Sequence, residues 1–153
     1  MIRSCVRPAI IIAMSFLLSA PIFAANARAL EQSQVLGRLQ LLLDGLKKRD
    51  RELMASVLLP GGSATLMRNG KPVQMGFDVF ADRLSAPGTD DREERIDHPL
   101  VRIDDNIAII WTHYIFLLNG KVDHCGTDNV NLVKAEGHWL IASVTDTSRT
   151  DCR

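Results

Sequence analysis

The fold is decided by residues 107–134, IAIIWTHYIFLLNGKVDHCGTDNVNLVK, where two runs rich in β-branched and aromatic residues flank Asn119-Gly120. Asn-Gly is the pair that most favours a two-residue hairpin turn, so this stretch predicts strands over 107–118 and 121–134. Glu136-Gly137 predicts a second turn and a strand over 138–147. With a further strand over 94–103, the second half of the chain is predicted to form an antiparallel meander.

The first half of the chain is predicted to be mainly helical. Residues 30–48 carry apolar side chains at helical spacing, and Asp50 can cap a second helix over 51–59. Asn69-Gly70 joins two short strands, and a third helix follows near 77–84. The order α-α-β-β-α-β-β-β-β predicts an α+β domain, with three helices packed on a curved, mostly antiparallel sheet.

Composition and charge narrow the possible function. The chain has 153 residues, 46% of them hydrophobic and 24% charged, which is typical of one globular domain. Its formal net charge is zero and it has no basic stripe or arginine-rich arm. These features argue against a nucleic-acid partner.

The N-terminus is predicted to be a cleavable signal peptide over 1–24, with a cut possible up to 29. Arg3 and Arg7 precede an apolar run over 9–20, which is shorter than the roughly 20 residues of a membrane span. We therefore expect a mature single domain over 30–153 that is periplasmic or secreted and not membrane-bound. Cleavage also removes Cys5 and leaves Cys125 and Cys152, a pair that predicts a disulfide in an oxidising compartment.

The last strands resemble the nuclear transport factor 2-like (NTF2-like) superfamily. The resemblance is carried by 109–114 (IIWTHY), 119–128 (NGKVDHCGTD), 132–134 (LVK), 137–141 (GHWLI) and 146–149 (DTSR). Within this superfamily, the chain is similar to the small exported members described as SnoaL-like (polyketide-cyclase-like) or lumazine-binding-like. The resemblance implies an NTF2-like cone with a pocket, in a fold that isomerases, dehydratases, cyclases and binding modules share.

Strand alternation, with each turn taken as a two-residue loop, predicts which side chains face that pocket. Asp128 is expected to face it beside Trp111, with Trp139 and Thr145 on the same face. His98, His113 and His124 are expected nearby, the first and last near the mouth. The opposite face, with Ile110, Tyr114, Phe116, Leu140 and Val144, is predicted to be apolar enough for a homodimer contact, unless the third helix or the C-terminal tail covers it.

Asp128 is the sharpest catalytic candidate, with His113 as its tentative partner. A carboxyl in an apolar concavity has a raised pKa and can act as a general acid or base. The resemblance to the ketosteroid isomerases of this fold supports the inward Asp128. Those isomerases also need a carboxylate base near the first hairpin and a tyrosine on the first helix. Helix 30–48 has no tyrosine and the first hairpin has no acid, so isomerase chemistry of that kind is not expected. Asp128 could instead be a structural residue held by Thr145 or a histidine.

The remaining predicted site residues bind ligand and hold no metal. Their assigned role is to line the pocket around a small apolar or aromatic molecule, and they are Trp111, Trp139, His98, His124 and Thr145. The two tryptophans could instead be core residues. No recognised metal-binding spacing is present, and no cofactor or metal is predicted.

Three functions remain open from the sequence. The favoured one is an exported small-molecule-binding protein. The alternative is a cofactor-free acid/base enzyme of the cyclase, dehydratase or isomerase type, using Asp128 with a histidine. The third is a protein-interaction dimer without a ligand.

Overall fold

A computed structural model describes residues 20–152, with side chains from residue 25 onward. Apart from residues 20–24, the predicted signal segment lies outside the described residues. The elements follow the predicted order, and their bounds are α1 (Ala20–Lys48), α2 (Arg51–Ala55), β1 (Leu58–Arg68), β2 (Lys71–Gly76), α3 (Phe77–Ser85), β3 (Arg92–Asp104), β4 (Ile107–Leu118), β5 (Lys121–Ala135) and β6 (His138–Asp146).

The helices differ from the prediction in two respects: α1 begins at Ala20 rather than at residue 30, and α2 is a short helix of five residues. Asp50 caps it as expected, accepting a hydrogen bond from the Leu53 backbone N–H at 2.9 Å. The helix ends at Ala55 because the next residues join the sheet: the Val57 carbonyl accepts from the Ile141 N–H at 2.8 Å, and Leu58 pairs with Ile141. The part of the chain that the structure describes therefore has two longer helices, α1 and α3. None of the described helices has the length and apolar composition to cross a membrane.

The six strands form one sheet in the order β2-β1-β6-β5-β4-β3. Only β1 and β6 run parallel; the other neighbours are antiparallel. One face of the sheet packs against the buried face of α1, on which Val35, Leu39 and Leu46 are at most 5% exposed. We call this the inner face and the opposite one the outer face.

A β-bulge beside the Asn119-Gly120 turn makes the face predicted for β4 wrong. Leu117 pairs with Val122 as expected, but Phe116 pairs with His124, so Asp123 is an extra residue on β5. A slip of one residue sends every later side chain of the partner strand to the other face. Even-numbered β4 residues are consequently inside: Ala108, Ile110, Thr112 and Tyr114 are at most 3% exposed. The predicted dimer face is thus largely core.

Two further bulges shift the neighbouring strands. Leu132 pairs with Ile141 as predicted, but Asn131 pairs with Ser143, which leaves Ala142 extra on β6. Beyond this point Asp128 pairs with Asp146 rather than with Thr145. On β3, Asp97 pairs with His113 and Leu100 with Trp111, so this strand carries one extra residue around His98 and Pro99.

A disulfide fastens the C-terminal tail to β5. Cys125 and Cys152 are joined, with their Cα atoms 5.8 Å apart, as the cysteine count predicted. The backbone of Cys125 pairs with Arg149, one residue further along the chain than pairing without a bulge would place it, because of the extra residue on β6. The tail crosses so close to Gly126 that a Cβ there would meet the Thr147 carbonyl and lie 2.6 Å from the Tyr114 ring. The Tyr114 hydroxyl donates to that same carbonyl at 2.8 Å.

Candidate functional site

A cavity of about 200 Å³ lies between the helices and the inner face of the sheet. The helices give it only apolar side chains, whereas the sheet gives all of its ionisable ones. The helical part of the wall consists of Leu39, Leu42, Leu43, Leu46, Phe80 and Leu84. The strands add Leu66, Arg68, Glu94, Phe116, His124, Asp128, Val130, Val144 and Asp146.

Two carboxyl groups, those of Glu94 on β3 and Asp128 on β5, form a hydrogen-bonded pair in this wall. Burial, reinforced by the charge of Asp146, raises the pKa of Asp128 to about 7, against the opposing effects of Glu94 and Arg68. Burial and the neighbouring Asp128 hold the pKa of Glu94 well above its usual range. Glu94 is therefore the protonated member, donating to Asp128, and the two carboxyls titrate as one unit.

Arg68 and Asp146 form the second polar pair of the cavity. The two guanidinium nitrogens of Arg68 donate to the two carboxylate oxygens of Asp146, both at 2.7 Å. The Met67 backbone N–H donates to the same carboxylate at 3.1 Å. Bidentate pairing of this kind fixes both side chains. Arg68 thus neutralises Asp146 and leaves the Glu94–Asp128 pair without a cation of its own.

His124 enters the cavity from the bulged end of β5. Its ring stacks on Phe116 with centroids 4.8 Å apart and meets the edge of the Tyr114 ring at 5.7 Å. Its Nδ1 lies 2.8 Å from a carboxylate oxygen of Asp123. Burial and the acids of the cavity raise the pKa of Tyr114, so this hydroxyl stays neutral and remains bonded to the Thr147 carbonyl.

The structure brings together only part of the predicted site. Asp128 and His124 line the cavity. Trp139 is 2% exposed and belongs to the core, where Lys134 Nζ lies 5.5 Å from its ring centroid. Trp111 is 51% exposed on the outer face.

The other predicted positions are also outside the cavity, and the bulges are the reason. His113 follows the parity of Trp111 on β4, and its Nδ1 bonds to the Thr127 hydroxyl at 3.1 Å. Thr145 pairs with Asn129, away from Asp128, and the side chain of His98 is 91% exposed. Asp128 and His113 therefore lie on opposite faces of the sheet, and the predicted pairing of the two side chains is wrong.

Sequence reasoning missed Glu94, Arg68 and Asp146. Glu94 is in phase with Ile96, because both pair with inner-face residues of β4, namely Phe116 and Tyr114. Glu94 could be assigned to the inner face only if the inward-facing residues of β4 had been predicted correctly. Asp146 would have been placed opposite Asp128 had the extra residue on β6 been recognised. Among the residues described, no group of three or more histidine, cysteine, aspartate or glutamate side chains is arranged to hold a metal ion.

Comparison with known proteins gives a family and a fold. Residues 30–145 match the family model described as "Putative lumazine-binding". An NTF2-like protein with a cystatin-like fold from Novosphingobium aromaticivorans superposes with a TM-score of 0.69 at 11% identity, over 90% of this chain and 94% of that chain. An NTF2-like superfamily protein from Salmonella enterica has a TM-score of 0.68 at 16% identity, over 82% and 96%.

A third solved structure, also from N. aromaticivorans, is named "Putative Scytalone Dehydratase". It has a TM-score of 0.68 at 12% identity, over 82% of this chain and 88% of that chain. At such identities these structures establish the fold alone. No protein of curated function matches the sequence.

Proposed function

Because this chain belongs to the lumazine-binding-like family of NTF2-like proteins, we propose that its cavity binds a small, mostly apolar or aromatic molecule. The observation that carries the proposal is a cavity with hydrocarbon on the helical side and one unneutralised polar pair, Glu94–Asp128, on the sheet side. Ligand sites commonly combine apolar walls with a few polar groups that fix orientation. The volume of about 200 Å³ matches about seven water molecules, which suits a molecule of one or two rings.

Titration with phenethyl alcohol and with lumazine tests this function. Leu84→Trp adds bulk at the cavity wall, and Leu100→Trp adds the same bulk on the outer face, where Leu100 is 45% exposed. We expect saturable binding of at least one probe, lost in Leu84→Trp and retained in Leu100→Trp. Absence of binding of both probes to the wild type at millimolar concentration contradicts the proposal, as does equal loss in the two variants.

We also propose that the protein works in the periplasm or outside the cell. Support comes from the basic and apolar pattern of 1–24 and from the Cys125–Cys152 disulfide, a bond that persists mainly in oxidising compartments. Intact mass measurement on exported material should find a mature N-terminus between residues 25 and 30. A mass that retains Arg3 would rule out cleavage.

A second candidate function is acid/base catalysis without a cofactor, of the cyclase, dehydratase or isomerase type. It is favoured by the position of Asp128 and His124 in one cavity, with the pKa of Asp128 at about 7, since a general base works best near the ambient pH. The dehydratase name of one structural neighbour is compatible with it. Acetophenone in D₂O tests it by NMR: the wild type should exchange the methyl protons faster than Asp128→Asn, and equal rates count against catalysis.

We further propose a homodimer through the outer face rather than through the face predicted from sequence. A stripe of large apolar side chains is exposed there, each at least 40%, and monomers rarely leave such a patch uncovered. Its members are Leu100, Ile107, Ile109, Trp111 and Ile115.

The charges beside this stripe support a second copy as the occupant. The bulge on β3 keeps Arg95, Asp97, Arg102 and Asp104 on the outer face, since all four pair with odd-numbered β4 residues. A two-fold axis across the strands near Trp111 would set Arg95 against Asp104 of the second copy. The same axis would set Asp97 against Arg102 of the second copy, so every charge would meet its opposite.

Light scattering on three variants tests both the face and the axis. Trp111→Glu should give a monomer, because it places a charge at the centre of the contact. Arg102→Asp should weaken the dimer, whereas Asp97→Arg combined with Arg102→Asp should restore it. A wild-type monomer at high concentration ends the proposal, and a failure of the double variant to recover excludes this axis.

A further inference from the structure

We propose that the cavity selects molecules that carry a protonated amine or amidine on their apolar body, with this head bound between Glu94 and Asp128. This inference rests on the proposed function and specifies the ligand class. It follows from the charges that face the cavity, from the position of Asp128, and from the hydrocarbon opposite it.

The cavity has more acids than bases. Glu94, Asp128 and Asp146 supply three carboxyls, and Arg68 is the one arginine or lysine among the lining residues. Arg68 is committed to Asp146 through two hydrogen bonds of 2.7 Å. The helices α1 and α3 add no charge to the wall. A positive group on a ligand would therefore balance the charge of Asp128 once that carboxyl is ionised.

Asp128 is buried to all but 5% of its surface and lies in the cavity wall. The one hydrogen-bond partner that the described residues give it is Glu94, itself an acid. A buried carboxylate needs a donor or a counter-ion, because desolvation without either is costly. Without a ligand the pair meets this need by holding protons; with a cationic head, the head can take over that role.

The other polar groups near the Glu94–Asp128 pair do not change its preference for a cationic head. The Tyr114 hydroxyl is committed to the Thr147 carbonyl, and His124 Nδ1 faces the carboxylate of Asp123. A carboxylate ligand would find no counter-ion in the pair, and it would be repelled by the pair at pH values above about 7, where Asp128 is ionised. A neutral alcohol can bond to it, but hydrogen bonds that involve a charged donor and a carboxylate are roughly twice as strong as neutral ones.

The binding reaction is balanced in protons. Since the pKa of Asp128 is about 7, the carboxyl is mostly protonated at about pH 6. An ammonium ion that binds there displaces one proton to solvent and leaves an ion pair. The ammonium keeps its own protons, so no bond other than the carboxyl O–H is broken. The release falls towards zero as the pH rises above 8, where Asp128 is already ionised.

Three probes with one apolar body and different heads test the inference: phenethylamine, phenethyl alcohol and phenylacetate. Calorimetry in buffers of different ionisation enthalpy gives both affinity and proton release. At about pH 6 we expect phenethylamine to bind at least about tenfold more tightly than the alcohol, with release of about one proton, and phenylacetate to bind most weakly. Asp128→Asn and Glu94→Gln should each weaken amine binding about tenfold, so that the amine loses its advantage over the alcohol.

The outcomes separate this inference from the function on which it rests. If the alcohol or phenylacetate binds as tightly as the amine, the cationic head is refuted while the binding pocket stands. If amine binding releases no proton at pH 6, or is unchanged in both variants, binding of the cationic head between Glu94 and Asp128 is refuted. If neither these probes nor lumazine binds, the proposed function itself fails. Thermal unfolding of each variant checks that the fold is retained.

Discussion

Replacing Asp128 by asparagine should change how stability depends on pH. The pKa of Asp128 is about 7 in the folded protein, whereas an unfolded aspartate titrates near pH 4. Because the folded-state pKa is the higher one, the stabilisation by this proton is complete below about pH 4. It is lost as the pH rises through about 7. Asparagine has the same shape and does not titrate.

The size of the effect follows from the linkage relation. Between about pH 4.5 and 6.5 the folded protein holds a proton that the unfolded chain has released. This group therefore lowers the free energy of unfolding by about 1.4 kcal/mol per pH unit. Relative to Asp128→Asn, the wild type should lose about 3 kcal/mol across this window. Taking the difference between the two proteins cancels the groups that titrate alike in both.

Urea denaturation at a series of pH values measures this difference. Asp91→Asn removes an exposed carboxylate just before β3 and serves as the matched control. Parallel stability curves for the wild type and Asp128→Asn between pH 4.5 and 6.5 would refute the reasoning. They would mean that the carboxyl is ionised in the folded state and that a donor or cation other than Glu94 supports it.

Three further changes probe the surroundings of the site. Gly126→Ala should lower the free energy of unfolding in denaturant by about 3 kcal/mol, because the added Cβ would collide with the crossing tail. The control Gly37→Ala in α1, whose Cβ would meet nothing within 4 Å, should be neutral or stabilising by about 1 kcal/mol. Cys152→Ser should cost about 3–4 kcal/mol by the loop-entropy relation, since the disulfide closes a separation of 27 residues; a loss below 1 kcal/mol in the same assay contradicts it. Asp146→Asn should lower the pKa of Asp128, because it removes a negative neighbour and frees an arginine charge; carboxyl NMR titration would disprove this by showing an equal or higher value.

The sequence predicted where helices and strands lie along the chain better than it predicted on which side of the sheet each side chain lies. Strand β4 has the bounds that were predicted, and the family was recognised from the residues of β4 to β6. Turn chemistry and hydrophobic patterning specify such features locally. The face of Trp111 depended instead on counting residues from a turn, and one extra residue at Asp123 reversed it. The composition of β4 gave no warning, because its odd and even positions are both apolar.

Asp128 was placed inward because the alternation of Val130 and Leu132 is local to β5 and does not depend on the bulge. Its partner could not be found in the same way. Glu94 lies 34 positions earlier in the chain, and the contact exists only because β3, β4 and β5 are adjacent in the sheet. A hydrogen bond between two acids has no sequence signature, since it depends on the desolvation that the whole fold imposes.

The division of the cavity wall between hydrocarbon from the helices and ionisable groups from the strands has a consequence for how such a site diversifies. A substitution at Leu42 or Leu84 alters the room available without touching the charge, and one at Glu94 or Asp128 alters the charge with little effect on the room. Ligand size and head-group chemistry are thus separable traits. Descendants of one ancestor can explore each by single steps, and a designer can do the same with two small libraries instead of one large one.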